Sequence, residues 1–198
     1  AGQSGTGLED LLGAFGYTAY TDFYNEQDET VRVFLDDTST LRLSASGLVQ
    51  YASTDGSATV SAYDESDITD AAALDAQLDC ARLILDAAQR AGDTDTHASL
   101  YAVERSEDQT TLIFLQMYSG VPVLGDADFA TFVFNGSALR TATIRLQKFQ
   151  PTGGKRTVMP AKQAAAGASG AERGLMAAYR SQDGQYVPSR FYLKNAAE

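Results

Sequence analysis

Apolar positions recur along this chain with two periods, and the switches between them mark its elements. Leu8, Leu11, Leu12 and Phe15 stand at i, i+3, i+4 and i+7, the spacing of one helix face, and Gly16 is placed to stop that helix. From Asp22 to Ala52 the period falls to two. Thr30–Leu35, Thr40–Ser44 and Leu48–Tyr51 read as strands of a meander, turned at Asp36–Ser39 and at Ser46-Gly47. Ser53 to Ser66 is polar and small, with one short strand expected at Ala58–Tyr63. The helical period returns from Asp67 to Ala91. Leu74, Leu78, Ala81, Leu85 and Ala88 form its core stripe with Ile84 alongside, Ser66 or Asp67 is the expected cap, and Gly92 the expected end.

Strands follow at Ser99–Arg105 and Thr110–Tyr118. Leu112–Met117 is apolar on both faces, so it reads as a central strand covered by the long helix. The stretch from Tyr118 to Phe149 organises the rest: a strand end, a Gly-Val-Pro-Val turn, a strand, a hairpin at Asn135-Gly136 and a second strand, Leu139–Phe149. Asn and Gly tolerate the positive φ angles of a type I′ turn. In the second strand Ala142, Ile144 and Leu146 share an inward face, while Thr141, Thr143, Arg145 and Gln147 share a wet one. Pro160 opens a helix expected over Ala161–Tyr179, weakened by Gly167, Gly170 and Gly174, and Tyr186–Leu193 closes as an edge strand marked by Pro188. The order predicts an α+β protein of two related lobes, 8–63 and 66–198, each an antiparallel sheet packed by helix, after a linker at 1–7.

Composition adds limits. A chain of 198 residues with 44% apolar positions can bury a core as one domain or as two small lobes. No apolar run approaches the ~20 residues of a membrane span. The opening Ala1–Gly7 has no initiating Met, and the expectation is a form from which an export or anchor segment has been removed. One cysteine forbids an intrachain disulfide. Residues 1–139 hold 5 basic and 23 acidic side chains, a balance of −18, whereas residues 140–198 hold 10 and 3, a balance of +7. The acidic total disfavours nucleic acid. The basic third either neutralises the rest within one fold or docks an anionic surface or an acidic protein.

Catalytic chemistry has little to build on. His97 is the only histidine. Cys80 lies mid-helix with about eleven residues, roughly 16 Å, of helix between it and the end nearest His97, so the two are not placed as a base–nucleophile couple. No Gly-x-Ser-x-Gly elbow is present, one Cys and one His do not make a zinc site, and the Asp and Glu runs lack the spacing of a calcium loop. Gly153–Thr157 departs from a phosphate loop in its first glycine and its final Ser/Thr. No metal, cofactor or catalytic residue is expected. Arg145, Lys148, Lys155 and Arg156 gather around one strand end and are the candidate partner-binding residues.

Phe114–Gly125 (FLQMYSGVPVLG), followed by a strand, Asn-Gly and another strand, resembles two related groups. One is the extracytoplasmic domain of YycH/YycI-type proteins, membrane-anchored accessory regulators of a cell-wall sensor kinase in Gram-positive bacteria. The other is the PepSY-like propeptide of thermolysin-type proteases, where a Gln-x-Tyr-x-Gly-Val-Pro-Val-x-Gly run also precedes a hairpin. Over residues 66–193 the order is more similar to the first, including Met159-Pro160 before a helix and Tyr186–Tyr192. The chain departs from it in lacking a transmembrane helix or lipid-attachment cysteine, and in stopping soon after Lys194. The resemblance implies a PepSY-like, YycH/YycI-like fold, an extracytoplasmic location with a membrane tether, and no catalysis. The partner it implies is a protein, either a sensor kinase or a paralogous regulator. The alternatives are a protease-propeptide-like inhibitor or folding chaperone, and an envelope polymer or small-ligand binder that uses the C-terminal basic residues.

Overall fold

In the computed structural model the described residues are all but 1–4, 19, 27–29, 55–59, 65–67, 155–156, 167–171, 183 and 195–198. The first helix, α1 (Gly5–Ala14), begins inside the expected linker. It seats Leu11, Leu12 and Phe15 in the core, and Gly16 ends it at φ 78°. Four antiparallel strands follow: β1 (Phe23–Glu26), β2 (Val31–Leu35), β3 (Ser39–Ser44) and β4 (Leu48–Ser53). The strand expected at Ala58–Tyr63 is reduced to a single bridge from Ser61 to Ala138, and residues 55–59 lie outside the described residues.

The long helix α2 spans Asp70–Gly92, later at both ends than expected. Thr69 caps it, its hydroxyl accepting from Ala72 N, in place of Ser66 or Asp67, which lie outside the described residues. The chain leaves through Asp93 at φ 49°, a left-handed position where Asp is tolerated. Ala81, Ile84, Leu85 and Ala88 are buried as the stripe predicts, with Leu74 and Leu78 half-buried. Gln77 joins them, its amide donating to Gly136 O at 2.8 Å.

The remaining strands are β5 (Thr96–Arg105), β6 (Gln109–Tyr118), β7 (Val121–Leu124), β8 (Ala130–Asn135), β9 (Ala138–Arg145), β10 (Glu172–Gln182) and β11 (Gln185–Lys194). Among the described residues they join one eleven-stranded sheet in the order β1-β2-β3-β4-β9-β8-β6-β7-β10-β11, with β5 paired to β6. β7 and β10 run parallel, so the sheet is mixed. β4 lies along β9, so the sheet passes from residues 8–63 into 66–198 without a break. One core holds Phe15 and Tyr51 from the first segment with Ile84 and Phe132 from the second.

Three local expectations are corrected. The turn after β6 is Ser119-Gly120, with φ 50° and 76°, and Val121–Leu124 is a strand rather than a turn. Two positive φ angles make this the type I′ hairpin. At the second hairpin Asn135 pairs with Ala138, leaving Gly136-Ser137 as the loop with positive φ at Gly136 only, the type II′ pattern. A register shift after Val133 sets Phe134 opposite Leu139, which keeps both side chains fully buried. Finally, the helix expected over Ala161–Tyr179 ends as α3 (Ala161–Ala166), and residues 172–182 are strand β10. Its Leu175-Met-Ala-Ala178 run has helix propensity, but a ten-pair ladder with β11 and the contact with β7 override it.

Candidate functional site

β6 is where the sheet divides. One edge pairs with β5 along Thr110–Tyr118. Along the other edge, Gln109–Phe114 pair with β8 and Gln116–Tyr118 pair with β7. The sheet therefore forks near Leu115. One branch carries β8, β9 and the N-terminal strands; the other carries β7, β10 and β11.

A cleft of about 1290 Å³ opens at this fork. It lies between the last turn of α2, the β3–β4 turn, the irregular segment after β9 and the β10–β11 ribbon. Four half-buried aromatic rings line it: Tyr118, Phe149, Tyr179 and Tyr186. They pack edge to face, with Tyr118 5.7 Å from Phe149 and 6.0 Å from Tyr179, and Phe149 5.1 Å from Tyr186 between centroids. One ring comes from the fork strand, one from the post-β9 segment and two from the ribbon.

Polar bonds hold the segment that carries Phe149. The Gln116 amide, 2% exposed, donates to Gln147 O at 2.8 Å and to Thr96 Oγ1 at 2.9 Å. Tyr186 Oη donates to Gln147 Oε1 at 2.7 Å. Leu146 N donates to Gly47 O at 3.0 Å. Charges sit at the mouth. Lys148 Nζ is 3.6 Å from Asp93 Oδ2, and Arg90 Nε is 3.5 Å from Asp10 Oδ2. All four side chains are exposed, so these pairs are weak and salt-sensitive.

Of the four expected site residues, Lys148 lines the cleft. Arg145 does not line it; it lies on the wet face of β9 and donates from Nη1 to Asp128 O at 3.1 Å. Lys155 and Arg156 lie outside the described residues. Gln116 and the aromatic lining went unrecognised as site residues in the sequence. Gln116 was visible as a polar residue inside an apolar run, and Tyr118 as its neighbour in the quoted motif. Tyr179 was hidden by the helical reading of its segment.

Reactive groups are scattered. Burial pushes the Cys80 thiol up to about 11, which leaves it protonated and a poor nucleophile at neutral pH. His97 is an exposed residue of β5. Among the described residues no three His, Cys, Asp or Glu side chains gather as a metal site, and no helix is long and apolar enough to cross a membrane. The cleft offers ring faces, amides and backbone groups, which suit binding.

No family model matches the chain, and no curated protein matches it in sequence. Among solved structures, the C-terminal domain of YpeB from Bacillus megaterium has a similar fold, with a TM-score of 0.53 at 10% identity. The match covers 96% of this chain and 86% of that one. The likeness is one of fold alone: it shows an α+β architecture like that of the YpeB C-terminal domain and does not single out the YycH/YycI type.

Proposed function

We propose that this chain is a non-enzymatic, protein-binding regulatory domain, extracytoplasmic and held at a membrane by a segment outside this sequence. The observation that carries the reading is the aromatic cleft at the sheet fork, a concave and partly apolar site with amide groups at fixed positions. Aromatic rings that are already packed lose little conformational entropy on binding, which favours a protein segment bearing apolar side chains. The acidic total argues against nucleic acid, and the PepSY-like fold is compatible with a regulatory role.

In its finer form the reading makes the partner an envelope sensor kinase. Regulation then consists of unequal affinity for two kinase states, since a ligand with equal affinity for both shifts neither. A second reading, a PepSY-like protease inhibitor, draws on the same fold likeness. The test is in-cell photo-crosslinking of the full-length, membrane-tethered protein with the photoreactive residue at Tyr186, and mass spectrometry of the captured species. A kinase captured by the native cleft and lost on Phe149→Ala with Tyr179→Ala supports the reading. Capture of a protease replaces it with the inhibitor. Capture of wall polymer alone, or of proteins indifferent to the cleft variants, overturns it.

A further inference from the structure

β5 lies on the edge of β6 opposite the fork, and its outer edge pairs with no strand among the described residues. Ten residues is long for an edge, and this one leaves Leu100, Tyr101 and Val103 exposed at 36%, 53% and 37%. Proteins usually blunt free edges by shortening them, by placing charges along them or by bulges that twist them away. Here the charged and imidazole side chains, His97, Glu104 and Arg105, stand only towards the two ends.

The irregularity in the middle of β5 decides what can add to it. Leu100 lies opposite Phe114 and Ala102 opposite Ile113, so Tyr101 is one extra residue in the ladder. Before the bulge, Thr96, Ala98 and Leu100 share the face of buried Phe114 and Gln116; after it, Val103 and Arg105 share that face with buried Leu112. His97 and Ser99, then Ala102 and Glu104, occupy the opposite face. In a regular strand, two-fold antiparallel pairing sets odd-numbered residues against odd. The extra residue switches this, so odd positions before the bulge meet even positions after it on matching faces.

The register that satisfies this at the centre sets His97 against Glu104, Ala98 against Val103, Ser99 against Ala102 and Leu100 against Tyr101, each twice by symmetry. The next allowed register in one direction places Asp95 against Glu104. In the other direction, Glu104 meets Ser99 and Arg105 meets Ala98. Only the central register pairs an imidazole N–H donor with a carboxylate at both ends and gathers the exposed apolar residues at the axis.

We infer that β5 pairs antiparallel with β5 of a second copy, His97 of each opposite Glu104 of the other, joining two sheets across a two-fold axis. The occupant is argued from charge and face complementarity along the strand itself. The inference is independent of the cleft, which opens on the other edge of β6.

Sedimentation velocity of the purified chain over a range of concentrations is the test, with two sets of variants. A mass that doubles with concentration is expected. Glu104→Lys weakens dimerisation by about tenfold, because the carboxylate that accepts the imidazole N–H is lost at both ends, and His97→Glu does the same by opposing carboxylates. Combining His97→Glu with Glu104→Lys restores the dimer. For the register, Ser99→Cys and Ala102→Cys chains, each also carrying Cys80→Ala, form a disulfide when mixed and not separately. Directly opposed strand residues have the Cα separation a disulfide needs. A monomer at all concentrations, a dimer indifferent to both charge reversals, or a dimer without the mixed crosslink overturns the inference.

Discussion

Gln116 donates its side-chain N–H to the backbone carbonyl of Gln147, 2.8 Å away, across the point where the sheet divides. The same nitrogen reaches Thr96 Oγ1, so one buried amide ties the fork strand to β5 and to the segment that carries Phe149 into the cleft. Gln116→Leu fills a similar volume but leaves the Gln147 carbonyl without this donor. The expected loss is about 1–3 kcal/mol, read as a lower urea midpoint at unchanged m-value. Cleft-dependent crosslinking weakens in parallel, because the Phe149 ring loses its support.

Gly47 sits in the β3–β4 turn at φ +90°, and a Cβ placed there falls 2.5 Å from Leu146 O. The obstacle is backbone, which cannot swing aside. Gly47→Ala therefore combines left-handed strain with a clash against the cleft wall, and a loss of about 2–3 kcal/mol is expected in thermal or denaturant unfolding.

Ser119 occupies the first central position of the type I′ turn at φ 50°, where Asn is the better-suited residue beside Gly120. Ser119→Asn is expected to raise stability by about 0.5 kcal/mol without altering partner capture, measured by the same unfolding curves.

Tyr17, Ser39 and Asp36 form a hydroxyl chain that ties the end of α1 to the β2–β3 turn. Tyr17 Oη lies 2.7 Å from Ser39 Oγ, which donates to both Asp36 oxygens at 3.0 Å. Partial burial pushes the Asp36 carboxyl up, but hydrogen bonds from Thr38 and Ser39 outweigh it and hold the group below its ordinary value. A depressed folded value means stability that is present above the unfolded pKa and lost as pH falls through the folded one. Asp36→Asn should therefore flatten the acid limb of the stability profile.

Tyr17 gives the opposite limb. Burial, only partly offset by the bond to Ser39, raises its hydroxyl to about 12 from 10.0. The stabilisation is complete below the unfolded value and is lost as pH rises from 10 towards 12. Tyr17→Phe should reduce the alkaline loss, at a cost of about 1 kcal/mol at neutral pH from the broken hydrogen bond. Denaturant midpoints from pH 3 to 11 test both limbs.

Local pattern determined much of this protein. The core faces of α1, α2 and β9 follow from apolar spacing alone, because burying a stripe or an alternate face is a local geometric matter. The Asn-Gly hairpin near residue 135 is legible in the sequence for the same reason. Its turn type is not, since keeping Phe134 and Leu139 buried together shifts the loop by one residue. Tertiary structure alone decided that residues 172–182 are strand, through pairing with β11 and β7 that outweighs the helical tendency of Leu175–Ala178. It also decided the site. Tyr118, Phe149, Tyr179 and Tyr186 are separated by 30, 29 and 6 intervening residues. Only the fork in the sheet brings their rings together, and no local period encodes a contact between strands that distant in the chain.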